Sequence, residues 1–127
     1  MNDVNFFLFC DAAAVTQENK MVAHGIFENL SAQQFPVVHP ALAVVFRIEG
    51  PDVLNGAELN FRLKNVMAEK NIVDVKFPLN MQVPNNIFQG VLNVVAIQID
   101  NAGVYQGELL LNGKQIGSSK LLVMQIK

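Results

Sequence analysis

The sequence predicts an all-β fold: an antiparallel β-sandwich of the immunoglobulin-like kind with about eight strands. Three observations carry this. Apolar residues recur with a period of two rather than 3.6. The alternating segments are short and separated by turns rich in Gly, Pro and Asn. Nothing between them offers the long crossover that parallel neighbours need.

The first strand spans about 4–15 and the turn QENK at 17–20 joins it to a second at about 21–30. SAQQF at 31–35 has room for one helical turn at most. In FPVVHPAL at 35–42, Pro36 and Pro40 hold the backbone extended, as a crossover between sheets requires. EGPDVLNG at 49–56 is a loop. ELNFRLK at 58–64 then alternates cleanly, Leu59, Phe61 and Leu63 on one face and charged or amide side chains on the other. NVMAEKN at 65–71 is a longer hairpin connection, and NIVDVKFPLNMQV at 71–83 repeats the alternation. Pro78 lacks an N–H and falls on the wet face, which puts this strand at a sheet edge. VPNN at 83–86 and DNAG at 100–103 are turns flanking a strand that includes 91–99. Asn112-Gly113 is a two-residue hairpin turn, because both residues tolerate positive φ. Asp100–Tyr105 has the D-x-x-G-x-Y form of a tyrosine corner, in which the hydroxyl bonds back to the backbone. The disulfide and tryptophan of antibody domains are absent, and Gly107 stands two residues after the tyrosine where a cysteine would be.

Composition narrows the function classes. The 127 residues fit one domain, read as 1–127, with enough chain for a core without staples. Mean hydropathy is +0.29 and only 16% of residues are charged, the polar remainder being largely the 14 Asn and 9 Gln. Seven Lys and two Arg are scattered, which argues against a phosphate-binding patch and gives the expectation of no nucleic-acid partner. MNDVN carries no basic residue before the apolar NFFLFC, so no signal peptide is expected. The uncharged segment 78–99 contains two prolines and many amides, which excludes it as a helical span. No membrane partner and a cytoplasmic location are the expectations. A lone Cys10 makes no intramolecular disulfide and no multi-cysteine zinc site.

Three residues are candidates for chemistry. Asp11 and His24 meet only in one of three hairpin registers: partner numbers summing to 35 pair them, a sum of 37 puts Ile26 opposite Asp11, and a bulged loop puts Gly25 there. If they met, the carboxylate would orient the ring, but acid–base or nucleophilic work needs a third group. Cys10 points to the opposite strand face from Asp11. Asp11 is therefore expected to be a polar contact, and Cys10 a small core residue. His39 sits on the stiff FPVVHPAL segment, where a backbone-bonded structural histidine is favoured over a binding element. The spacing of histidines and acids suggests no metal site and no cofactor.

FCDAA at 9–13, ENKM, GIFENL, FPVVHPALAVVFRIEG at 35–50 and the closing GVYQGELLLNGKQIG resemble a family of small bacterial all-β proteins of unknown function. The resemblance covers most of the chain. It implies a sandwich fold and carries no catalytic role to Asp11, His24 or His39.

Two strands are apolar on both faces. Phe6, Leu8, Cys10 and Ala12 oppose Phe7 and Phe9; Leu92, Val94 and Ala96 oppose Val91, Val95, Ile97 and Ile99. A sandwich buries one face of each sheet, so a second apolar face requires a further cover. The sequence therefore reads as a non-enzymatic interaction or assembly module with a homo-oligomeric or protein partner. The alternatives are a sandwich that binds a small molecule or carbohydrate and an enzyme working through Asp11 with His24, or through His39. One tyrosine and no tryptophan weaken the carbohydrate reading.

Overall fold

The computed structural model describes residues 2–18 and 20–126, so Asn19 of the QENK turn lies outside the described residues. Nine strands follow in chain order: β1 (Asp3–Val15), β2 (Met21–Phe27), β3 (Asn29–Ala32), β4 (Val37–Glu49), β5 (Glu58–Asn65), β6 (Lys70–Pro78), β7 (Ile87–Ile99), β8 (Gly103–Leu111) and β9 (Lys114–Gln125). They form two sheets, ordered β2-β1-β4-β7 and β3-β9-β8-β5-β6. The strand expected at 21–30 divides at Glu28. Its first part stays on β1, and its second crosses to the other sheet and pairs with β9. That pair is parallel, a departure from the all-antiparallel expectation. A strand that changes sheets keeps its direction, so the parallel pair arises without a helical crossover.

The alternation at 58–64 becomes burial directly. Leu59, Phe61 and Leu63 are buried and sit opposite Phe77, Val75 and Val73 of β6. Asn60, on the other face, is buried as well. Its amide donates to Asp74 Oδ1 at 2.7 Å and to the Val75 carbonyl at 2.9 Å, and its oxygen accepts from Arg62 Nε at 3.1 Å, which satisfies the buried group. Pro78 does end an edge strand. The alternation expected to run on to Val83 stops there, because Leu79 turns back to exchange backbone hydrogen bonds with Gly56 and Ala57. Asn112 and Gly113 have φ of 51° and 85°, and Leu111 pairs with Lys114 across the turn.

Between the sheets, Phe7 and Phe9 of β1 and Leu42, Val44, Phe46 and Ile48 of β4 meet the buried faces of β5, β8 and β9. Phe7 and Phe61 pack edge to face across the layers, with centroids 6.1 Å apart and planes at 85°. The tyrosine corner forms: Tyr105 Oη donates to the Asn101 carbonyl at 2.7 Å. Gly107 gives its space to an aromatic ring. A Cβ there would lie 2.8 Å from Phe9 Cζ, so β1 approaches β8 closely at the position where a disulfide stands in antibody domains.

The four-stranded sheet is creased. On β4, Leu42, Val44 and Phe46 face the core, and so does Val37; on β7, Leu92 and Val94 do, and so do Ile97 and Ile99. Even and odd positions exchange faces between Val37 and Leu42 and between Val94 and Ile97. Pro40 and Ala96 stand opposite each other in that interval, unpaired, with Ala96 at φ 53°. The same exchange occurs in the hairpin of β1 and β2. Cys10 and Ala13 share the outer cluster, as do Met21 and Ala23, whereas Phe27 faces the core. Among the described residues, β1 has no partner in β4 beyond Cys10, and residues 12–15 pair with β2 alone.

Candidate functional site

The crease decides where the three sequence candidates lie. The β1–β2 ladder pairs residues whose numbers sum to 36: Cys10 with Ile26 and Ala12 with His24. Asp11 therefore faces Gly25, the third of the three registers. Gly25 has φ +70°, and a Cβ on it would collide with the Asp11 carboxylate, which occupies the space the glycine leaves open. His24 is exposed and lines a shallow apolar cleft of ≈ 210 Å³ with Ala12, Ala13, Ala14 and Val22. His39 is on β4 rather than in a crossover loop, opposite Ile97. Its ring lies 6.4 Å from that of Phe27, and its Nε2 is buried with no hydrogen-bond partner among the described residues, so the expected backbone bond from that nitrogen is not made. Ion pairs among the described residues are Lys20 with Glu18 at 3.4 Å and Arg62 with Asp74 at 3.9 Å; neither involves Asp11, His24 or His39. The geometry brings none of these three together.

Cys10 is wholly buried, but on the outer face of its sheet. Its thiol lies 3.5 Å from the Ala12 carbonyl and 3.7 Å from that of Ala43. Burial pushes the thiol above its ordinary value of 9.0 and the Asp11 charge adds to this, against backbone hydrogen bonds from His24 and Ala12. A neutral, enclosed thiol is a poor nucleophile.

What the structure does assemble is a surface. The registers place Ile26, Cys10, Ala43 and Asn93 in one row across the outer face of the four-stranded sheet, and Leu8, Val45 and Val91 in the next. Ala41 and Val95 continue the face on one side; Phe6, Arg47 and Gln89 close it with a mixed row on the other. Cys10, Ala43 and Val45 are buried beneath half-buried Phe6, Leu8, Met21 and Val91. Ile26 at 56% exposure and Val95 at 69% stand at its two margins. Sequence reasoning found the doubled apolar faces. It missed Arg47, whose signal was a single charge at an outward position in an otherwise apolar VVFRI run. It also placed Ala12 on this face, and the exchange of faces at Asp11 removes it.

Among the described residues no group of three His, Cys, Asp or Glu side chains is arranged to hold a metal ion, and no helix is long and apolar enough to cross a membrane. Residues 5–124 match the model of a family of unknown function. No curated protein matches the chain in sequence. Among solved structures, the chain is similar to the Pseudomonas fluorescens alkylpurine DNA glycosylase AlkC bound to DNA containing an abasic site analog, at 6% identity and a TM-score of 0.48. The match covers 97% of this chain and 30% of that one, so the chain spans under a third of its length. The expectation of no nucleic-acid partner is withdrawn, because it rested on composition alone. Overall charge counts basic groups without saying where the fold gathers them, and it could not carry that exclusion. A likeness this distant carries no argument about function.

Proposed function

The chain belongs to that family of unknown function, DUF6941, and we propose that within it this protein is a non-enzymatic protein-interaction module that works through the outer face of its four-stranded sheet. One observation carries the reading. The apolar rows through Cys10 and Val45 form a second layer of burial outside the sandwich, with Ile26 and Val95 exposed at its margins and the polar row of Arg47 and Gln89 closing it. Exposed apolar surface rimmed by polar residues is the usual signature of a protein contact. The immunoglobulin-like assignment fits the same reading and is supported by the Tyr105 corner. The cytoplasm suits it too, because a single free cysteine fits a reducing compartment.

The test is site-specific photo-crosslinking in cells. A photoreactive side chain at Ile26 or Val95 is expected to capture a discrete protein band, while the same group at Asp52 or Lys114, away from this face, captures none. Equal capture at all four positions, or none at any, would refute the proposal.

A further inference from the structure

We propose, building on the interaction-module reading, that the free edge of β7 receives an extended segment of a partner protein by strand addition, and that a carboxylate at the end of that segment pairs with Arg47. The four sheet edges of the molecule, β2, β7, β3 and β6, differ in how they resist pairing. β3 has four residues. β2 has seven and is interrupted at Gly25. β6 carries Lys70, Asp74, Lys76 and the closing Pro78. Short length, charge and proline are the devices that keep an edge from pairing. β7 has 13 residues, no charge and no proline, and its one irregularity, Ala96, leaves 87–95 uninterrupted. Among the described residues, 90–95 have a strand partner on the β4 side only. Their other side therefore presents unpaired N–H and C=O groups, whose natural complement is another extended backbone.

Charge marks one end of this edge. A cavity of ≈ 420 Å³ opens beside the start of β7, lined by Arg47, Gln89, Ile87 and the 81–85 segment. Arg47 is half-buried and has no ion-pair partner among the described residues. A partly desolvated guanidinium calls for a carboxylate, and its fork geometry suits one. Backbone complementarity thus defines the body of the occupant and Arg47 defines its end.

The probe is an acetylated octapeptide of alternating threonine and valine ending in aspartate. Its controls are the same peptide ending in asparagine amide, and a version N-methylated at alternate residues that cannot complete a ladder. The readout is amide hydrogen exchange across the whole protein at millimolar peptide. The acidic peptide should slow exchange at 90–95 while leaving β2, β3 and β6 unchanged. It should bind about tenfold more tightly than the amide peptide, the size one charge-assisted hydrogen bond supplies. Arg47→Gln should erase that preference and keep the protection, and the N-methylated peptide should protect nothing. No protection at 90–95, or protection by the N-methylated peptide, overturns strand addition. A preference that survives Arg47→Gln overturns the carboxylate pairing. Crosslinking at Ile26 and Val95 without protection at β7 leaves the interaction reading standing and removes this proposal alone.

Discussion

Replacing Gly90 by alanine is expected to destabilise the protein through one contact. Gly90 sits opposite Phe46 in the β4–β7 ladder and is buried. A Cβ there would lie 2.8 Å from Phe46 Cε2 and 2.9 Å from Cε1, well inside van der Waals contact. The ring cannot retreat cheaply, because it is 1% exposed and packs against Phe88 with centroids 5.9 Å apart. Forcing one methyl into a packed core costs about 1–3 kcal/mol. For 127 residues the unfolding entropy near the midpoint is about 0.27 kcal/mol/K, so Tm should fall by about 4–11 °C. Phe46→Leu alone should also destabilise, by opening a cavity. In the double variant the leucine makes room for the new methyl, and the combined loss should fall short of the sum by at least about 0.5 kcal/mol. Urea and thermal unfolding followed by circular dichroism measure all four proteins. A Gly90→Ala variant within about 1 °C of the parent, or strictly additive losses, would refute the assigned contact.

Three further outcomes are expected. Tyr105→Phe removes the donor to Asn101 and the group that Asn65 approaches at 3.3 Å, and should cost about 1–2 kcal/mol in urea unfolding. Gly25→Ala meets both a φ of +70° and the Asp11 carboxylate and should cost about 1–3 kcal/mol, while Asp11→Ala in that background restores only the part due to the collision; thermal melts of Gly25→Ala, Asp11→Ala and the double variant separate the two terms. Burial raises the titration of Cys10 above 9.0 and of Tyr105 above 10.0, so the unfolded chain ionises first and gains stability relative to the folded one as pH rises. Stability should therefore be level from neutral pH to about 9 and decline above it, and the decline in urea midpoints should be smaller in a Cys10→Ala, Tyr105→Phe variant.

Features decided by neighbours in sequence were legible before the structure. The strand at 58–64 needed only its own alternation, the turn at Asn112-Gly113 needed only two residues that accept positive φ, and the Tyr105 corner lies within five residues of its acceptor. Edge status for β6 followed from Pro78 alone, because a missing N–H is a local fact. The candidate surface was half legible. The doubled apolar faces of β1 and β7 were visible, but which of their residues share a face was not. Alternation was extended through Asp11 and Ala96 as if strands were straight, and each of those positions sits opposite a residue, Gly25 or Pro40, where both strands exchange faces together without a change of register.

Within-strand periodicity thus determined the fold class and the inward residues of the straight strands, and the turn-forming residues determined most of the turns. Register across a hairpin depends on a loop whose length alone admits three answers, so the separation of Asp11 from His24 was set by pairing. Sheet order depends on contacts far apart in sequence, so only the assembled sandwich decided that β3 leaves β2 to run parallel to β9, that β7 becomes an open edge, and that Arg47 makes no ion pair among the described residues. Side-chain period is carried by the chain locally, whereas pairing is a choice among distant partners made by the core they bury together.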